Sequence, residues 1–244
     1  MHMDLAEILA EAIRSGGTIE VDAGAEPSLM DASAIQHTIL DRLGIDPKGW
    51  KLSLREDGVL RAPLLSVTDA ASFPYQAGLK LEVEIALVLG RDLPVRAEPY
   101  GRQEIRNAIA ATRLGVELVR SRYKNGPQGR ASLLVADLMS NAGYRLGPEL
   151  EADVLDEGRV ADNLRVSIGD QSIFDAPSAH PDGDPLAALV AYANEADRPA
   201  GALLQGAVIT TGSLCGGLAV ASATTVSISL GPKTWKMEIV QSTF

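Results

Sequence analysis

Hydrophobic and polar residues alternate along positions 79–85 of the chain, and the hydrophobic run then continues to Leu89. The odd-numbered positions are all Leu, Val or Ile, whereas Glu82 and Glu84 fall between them. Because successive side chains of a β-strand point to opposite faces, the pattern predicts a strand with one buried face and both carboxylates on the other. Taken alone, the pattern is more typical of a solvated strand face, where glutamate is common.

The two predicted neighbours Glu82 and Glu84 nevertheless suggest a chemical role. Two carboxylates a few ångströms apart repel each other unless a positive charge lies between them. A divalent cation would supply that charge. Oxygen ligands without cysteine or histidine favour a hard ion such as magnesium, manganese or calcium.

Periodicity elsewhere predicts a small helical lobe followed by a sheet-rich domain. Residues 4–14 have the apolar spacing of a helix, and a second helix, capped by Asp31 or Ser33, is predicted to end near Gly44. These helices define an expected N-terminal lobe within residues 1–48. Residues 49–244 are expected to form the second domain.

The predicted second domain has mostly β signals. The predicted strands cover residues 50–54, 79–89, 115–119, 163–168, 172–174, 207–211, 225–230 and 235–240. Helices are predicted over residues 103–114 and 185–194. The mixture indicates an α+β fold dominated by a curled mixed sheet.

Composition narrows the class of protein. The 244 residues are 46% hydrophobic and 22% charged, and the net charge is −10, so nucleic acid is not an expected partner. The sequence contains no run of eighteen apolar residues and no signal-peptide pattern, so we expect no membrane span and a cytoplasmic location. Met1-His2-Met3 is interpreted as a possible expression scar.

Cysteine and histidine provide little support for other chemistries. Cys215 is the only cysteine, so a disulfide framework is excluded, and it is interpreted as a small buried filler. The three histidines, His2, His37 and His180, lack the spacing of zinc ligands.

Six separated segments resemble the 2-hydroxypenta-2,4-dienoate (2-keto-4-pentenoate) hydratases and the sister 4-oxalocrotonate decarboxylases of the fumarylacetoacetate hydrolase superfamily. The resemblance covers about residues 4–240. The segments are Gly49-Trp50-Lys51-Leu52, residues 81–89, Gly90-Arg91-Asp92-Leu93-Pro94, residues 115–122, residues 184–189 and residues 209–214. The resemblance implies the mixed β-sheet roll of that superfamily.

The resemblance also implies a metal site. The family's Glu-x-Glu pair and third acid match Glu82, Glu84 and Glu117, which would hold Mg²⁺ or Mn²⁺. Glu117 lies among apolar residues, where an unpaired carboxylate is costly, and a metal partner would explain it.

Further residues gain roles from the same resemblance. Lys51 matches the family lysine that contacts substrate and is a candidate for proton transfer; burial lowers a lysine pKa, while nearby carboxylates raise it. Thr211 and Gly212 match a Thr-Gly turn beside the substrate carboxylate, although a plain strand-end turn is the alternative. Arg122 is interpreted as a structural partner of an acidic residue.

The implied activity is hydration of a 2-hydroxydienoate or 2-oxo-enoate by a metal-dependent lyase that forms a homo-oligomer. Decarboxylation of a 2-oxo-dioate is the first alternative, which the run Ser121-Arg122-Tyr123 favours slightly. Hydrolytic carbon–carbon cleavage lacks a convincing His-Glu base. A 2-oxo acid binder or partner subunit without turnover is the remaining alternative.

The sequence also departs from the family pattern at several substrate-facing positions. The segment between Glu56 and Gly78 is shortened and lacks a family acid, for which Asp69 is the only obvious replacement. The family's Asp-Asn-Ala-Ser segment is Asp137-Leu138-Met139-Ser140 here. The metal ligands are therefore expected to be retained, with an altered substrate pocket.

Overall fold

A computed structural model describes residues 4–21, 26–156 and 161–242. Met1-His2-Met3, the predicted scar, lies outside the described residues. The helices are α1 (Leu5–Ser15), α2 (Leu29–Leu43), α3 (Arg102–Arg106), α4 (Ala131–Ala136) and α5 (Ala187–Ala193). The strands are β1 (Gly49–Arg55), β2 (Gly58–Pro63), β3 (Val67–Thr68), β4 (Ser72–Pro74), β5 (Lys80–Leu89), β6 (Ile109–Val119), β7 (Asn141–Glu149), β8 (Asn163–Ile168), β9 (Gln171–Pro177), β10 (Val208–Ser213), β11 (Leu218–Ala219), β12 (Thr224–Leu230) and β13 (Lys233–Val240).

These strands form two sheets. The first has the order β2-β1-β10-β5-β6-β7-β3, with β11 also paired to β5, and the second has the order β4-β13-β12-β8-β9. Both are mixed, because β1–β10, β3–β7 and β4–β13 pair in parallel while the other pairs are antiparallel. The predicted α+β class with a mixed-sheet roll is confirmed.

The alternating strand is β5, at the centre of the first sheet. Its odd-numbered face, including Leu81, Val83 and Leu87, packs into the main hydrophobic core with residues such as Ile228 and Met237 of the second sheet. Burial of each such aliphatic side chain contributes about 1.5–3 kcal/mol, so β5 has one strongly favoured register. That register fixes which way Glu82 and Glu84 point. Cys215 packs at the margin of this core and is half-buried rather than fully buried.

The predicted N-terminal helices are both present and form a second apolar cluster. α1 and α2 pack together through residues such as Leu9 and Ile39, and α4 adds Leu133. The cap of α2 was predicted at Asp31 or Ser33, which is wrong: the N-cap is Ser28, whose hydroxyl accepts a hydrogen bond from the Asp31 amide. The domain boundary at residue 48 stays a prediction.

The predicted helix over residues 103–114 is confirmed only as far as Arg106 and is wrong beyond it. Helix α3 ends at Arg106, and β6 then runs without interruption from Ile109 to Val119. Residues 109–119 pair with β5 over almost its full length, and this tertiary pairing overrides the helical propensity of the alanines. β2 and β7 were not predicted. Among the described residues, no helix is long and apolar enough to cross a membrane.

A buried ion pair supports the segment that leads into β7. Leu138, Met139 and Ser140 have consecutive left-handed backbones, with φ of 50°, 50° and 63°, which is costly for residues other than glycine. Arg122 donates from Nε to Asp137 Oδ1 (2.5 Å) and from Nη1 to the Asn141 carbonyl (2.7 Å), so it joins both ends of the turn. The structural role predicted for Arg122 agrees with these contacts.

We expect Asp137→Asn to lower the free energy of unfolding by about 3–5 kcal/mol, because it leaves the Arg122 guanidinium buried without a counter-charge. Urea denaturation followed by circular dichroism measures the change. The control is Asp175→Asn, which breaks the exposed ion pair with Arg165 and should leave unfolding nearly unchanged. Equal effects of the two substitutions would contradict the supporting role of Asp137.

Candidate metal centre

Three glutamates from two adjacent strands meet on the face of the first sheet opposite the core. Glu82 lies directly across from Glu117 in the β5–β6 register, and Glu84 follows two residues along β5 on the same face. One carboxylate oxygen from each glutamate can be chosen so that all three lie within 4.8 Å of one another. The structure therefore brings together the three predicted ligands, although Glu117 follows Glu82 by 35 residues and Glu84 by 33 residues in the sequence.

Burial makes the arrangement of the three carboxylates energetically unfavourable without a cation. Glu84 and Glu117 have no exposed surface, and Glu82 keeps 22% of its side chain exposed. Neither oxygen of Glu84 has a hydrogen-bond partner. Buried polar atoms without partners are uncommon and costly in folded proteins. An all-oxygen donor set with unpartnered buried oxygens fits a hard divalent ion such as Mg²⁺.

Within the described part of the chain, Lys51 supplies the one positive charge that contacts these carboxylates. It reaches from β1, two strands away from β5, and its Nζ lies 2.9 Å from Glu117 Oε2 and 3.2 Å from Glu82 Oε2. One ammonium against three carboxylates leaves two negative charges unbalanced when all four groups are ionised. A divalent cation would neutralise them.

The pKa values reflect the same imbalance. Burial raises the pKa of Glu84 well above its ordinary value, and the charge of Glu117 raises it further. Burial also raises the pKa of Glu117, with Lys51 opposing the shift. Burial lowers the pKa of Lys51, but the charges of Glu117, Glu82 and Glu84 outweigh it, and the net pKa is raised. Lys51 is therefore an ammonium at neutral pH.

Each of two further side chains on β7 approaches one glutamate. Asn141 donates from Nδ2 to Glu117 Oε1 at 2.9 Å, while its own Oδ1 accepts from the Leu65 amide. Tyr144 is fully buried, and its hydroxyl lies beside Glu84 and Thr210. The sequence pattern predicts neither residue at this site, because it indicates no strand at β7, and only the pairing of β7 with β6 places them here.

The site opens into a cavity of about 1050 Å³. Lys51, Glu82 and Glu84 lie in its wall on the sheet side, and Thr18 and Met139 line the side near the helical lobe. This volume is at the upper end of the range for small-molecule sites.

The predicted Thr211-Gly212 turn lies at the edge of this cavity. Gly212 lines the wall and has φ +137°, and a Cβ there would lie 2.6 Å from Pro181 Cγ, so only glycine fits. The Thr211 hydroxyl instead contacts His180: the Asp182 amide donates to Nδ1, so neutral His180 donates from Nε2 to Thr211 Oγ1 at 2.9 Å. Their substrate-binding roles stay predictions.

Asp69, the predicted replacement for the missing family acid, is neither part of the glutamate cluster nor a lining residue of the cavity. It pairs with Arg113 (3.1 Å) and keeps 71% of its side chain exposed. Among the described residues that line the cavity, the carboxylates are Glu82 and Glu84 alone, and none of the lining residues is a histidine.

Solved structures with this architecture include metal-bound enzymes. The 4-oxalocrotonate decarboxylase from Pseudomonas putida G7, complexed with magnesium and adipate, is 20% identical with a TM-score of 0.77, over 97% of this chain and 96% of that chain. The same decarboxylase complexed with calcium and acetate gives 20% and 0.76 over the same shares. The 2-hydroxyhepta-2,4-diene-1,7-dioate isomerase from Mycobacterium marinum is 18% identical with a TM-score of 0.54, over 81% of this chain and 75% of that chain.

These likenesses establish that the protein has the fumarylacetoacetate hydrolase fold. The fold expected from the sequence resemblance is confirmed. A scan against protein-family models and a search of curated proteins find no match.

We expect Lys51→Met to destabilise the metal-free protein by about 3–5 kcal/mol, because three carboxylates lose their counter-charge. Added Mg²⁺ should restore more stability to this variant than to the wild type. Thermal unfolding in EDTA and in Mg²⁺ measures both effects, with the exposed Lys236→Met as control. An unchanged melting temperature in EDTA would contradict the balancing role of Lys51.

Metal affinity should fall as pH is lowered through the acidic range. Because its pKa is raised, Glu84 holds a proton in the metal-free protein at pH values where an ordinary glutamate has lost it, and a cation must displace that proton. Lys51 stays charged throughout and adds no opposing trend. Calorimetric titration in buffers of different ionisation enthalpy should show proton release on binding. Affinity independent of pH would contradict the protonation of Glu84.

Proposed function

We propose that this protein is a divalent-metal-dependent lyase that adds water to a 2-hydroxydienoate or 2-oxo-enoate. The observation that carries the proposal is the convergence of Glu82, Glu84 and Glu117 around one point beside Lys51, at the wall of a cavity. Fold likeness to the magnesium-bound 4-oxalocrotonate decarboxylase and to the 2-hydroxyhepta-2,4-diene-1,7-dioate isomerase supports it.

In this proposal the three glutamates hold Mg²⁺ or Mn²⁺. When bound, such an ion provides Lewis-acid stabilisation for the negative charge that develops on the substrate's 2-oxygen. Glu84 and Glu117 are fully buried, so they hold their positions without competition from bulk water.

Lys51 is the residue proposed to move protons. Conversion of a 2-hydroxydienoate to its 2-oxo form adds a proton to the terminal carbon, which the Lys51 ammonium would donate, and removes the 2-hydroxyl proton, which the resulting Lys51 amine would accept. Water then bonds to C4, and C3 gains a proton. As an ammonium, Lys51 is a proton donor, and within the described cavity wall no further carboxylic acid or imidazole competes for that role.

Thr211 and Gly212 are proposed to sit beside the substrate carboxylate. The cavity position of Gly212 supports this role directly. Because His180 donates to Thr211 Oγ1, the Thr211 hydroxyl proton is free to be donated elsewhere.

Decarboxylation of a 2-oxo-dioate is the second candidate, and one observation favours it. Arg55, Lys80 and Lys124 line the same cavity, although the chain as a whole has a net charge of −10. Such cations would attract a second carboxylate at the far end of the substrate. The decarboxylase of the same fold was solved with adipate, also a dicarboxylate. Loss of that far carboxylate as CO₂ would send its electron pair through the conjugated carbons to the 2-oxygen.

We expect Glu84→Gln to abolish measurable Mg²⁺ binding and turnover, since it removes a buried anionic ligand. The control is Glu149→Gln, an exposed position on β7 of the same sheet, which should leave both unchanged. Titration calorimetry with Mg²⁺ and with oxalate, a mimic of the 2-oxo acid head, measures binding. Unchanged Mg²⁺ binding by Glu84→Gln would overturn the proposed centre.

Products distinguish the candidate reactions. Wild-type protein with Mg²⁺ is incubated with 2-hydroxypenta-2,4-dienoate and with 2-oxo-3-hexenedioate. Hydration consumes the dienoate without gas release, whereas decarboxylation of the dioate releases CO₂. Oxalate binding without either reaction would support the non-catalytic binder or partner subunit.

The expected homo-oligomer, the cytoplasmic location and the absence of a nucleic-acid partner stay predictions. Each of them derives from the resemblance or from composition.

A further inference from the structure

The three glutamates of the centre differ in the side chains that hold their carboxylates. Glu117 is held by Asn141 and Lys51, and Glu82 is held by Lys51. Glu84 is the most buried of the set together with Glu117, and neither of its oxygens completes a hydrogen bond in this structure. Glu84 is therefore the glutamate whose orientation would gain most from a further hydrogen-bond donor.

Tyr144 is the side chain placed to be that donor. It lies on β7 directly across from Glu117, and its ring crosses β6 towards β5. The ring packs in a small apolar cluster with Ala86, Leu64 and Val208, and its hydroxyl ends beside Glu84 and Thr210.

Gly115 makes this path possible. It is the β6 residue directly across from Glu84, and a Cβ at Gly115 would lie 1.9 Å from Tyr144 Oη. The hydroxyl therefore occupies the space where any other residue would have its side chain. Any residue other than glycine at position 115 would force the Tyr144 ring to move.

The hydroxyl would be costly if it only filled space. Tyr144 has no exposed surface, and a phenylalanine would pack in the same apolar cluster without a polar atom. A buried hydroxyl is destabilising unless it is paired, and the polar side chains beside this one are Glu84 and Thr210. A carboxylate accepts only, so the phenol must be the donor in any pairing with ionised Glu84.

We propose that Tyr144 is a positioning residue for Glu84: its hydroxyl passes over Gly115, donates to the Glu84 carboxylate with Thr210 behind it, and fixes the orientation in which Glu84 binds the metal. This inference rests on the proposed metal centre and extends it to residues outside the ligand set. In this proposal Tyr144 can reach Glu84 only because residue 115 is glycine.

The test is the Mg²⁺ affinity of Tyr144→Phe, measured by titration calorimetry, with Mn²⁺ binding followed by electron paramagnetic resonance. We expect affinity to fall about 10-fold or more, as for other residues that orient a metal ligand. Thermal unfolding in EDTA should change little, since the ring is retained. The matched control is Tyr192→Phe, a second fully buried tyrosine whose hydroxyl also lacks a hydrogen-bond partner; its Mg²⁺ affinity should equal that of the wild type.

Thr210→Val is the second variant, and it should weaken Mg²⁺ binding in the same direction by a smaller factor. Wild-type affinity in both Tyr144→Phe and Thr210→Val, or equal losses in Tyr144→Phe and Tyr192→Phe, would overturn the positioning role while leaving the metal centre intact. Failure of the wild-type protein to bind Mg²⁺ or Mn²⁺ would overturn the proposed function itself.

Discussion

Repulsion among three converging carboxylates is the constraint on which the rest of this site depends. Glu84 and Glu117 have no contact with solvent, so water cannot screen their charges. Among the described residues, one ammonium, that of Lys51, opposes these charges. The Glu84 oxygens are left without hydrogen bonds. Such an arrangement destabilises the folded protein, since burial of unpaired charge costs several kcal/mol. The charge imbalance is the physical reason to propose a cation here rather than a structural salt bridge.

The sheet provides the rigidity that this imbalance demands. The core-facing residues of β5 fix its register, and β6 pairs with it over ten positions, so Glu82 and Glu117 cannot slide apart. Lys51 enters from β1, which is held beside β10 by parallel pairing. The left-handed turn before β7, joined by Arg122 and Asp137, delivers Asn141 to Glu117. Side chains on regular strands thus form the centre, while the loops that surround it shape the cavity.

The parts of this site that the sequence reveals are those with a local pattern. Period-2 alternation predicts β5 and places Glu82 and Glu84 on one face, and the apolar surroundings of Glu117 mark it as unusual. Asn141 and Tyr144 have no such signal, because their roles come from pairing between β6 and β7, 22 or more residues apart in the chain. The same long-range pairing explains why the helix predicted over residues 103–114 is wrong beyond Arg106: alanines and arginines favour a helix locally, but β5 offers a full-length partner.

The steric relation between Gly115 and Tyr144 links the sheet to the chemistry. A glycine in the middle of a central strand weakens it, because it adds backbone entropy to the unfolded chain and contributes no packing. That cost is offset here only if the vacated space serves another group, and the space is filled by a phenol beside Glu84, a proposed metal ligand. Lys51 is charged, and the described cavity wall has no carboxylates besides Glu82 and Glu84, so the orientation of these carboxylates controls where the negative charge lies. The close approach of Tyr144 to Gly115 therefore connects the packing of the sheet to the orientation of Glu84, and so to how a cation would be held.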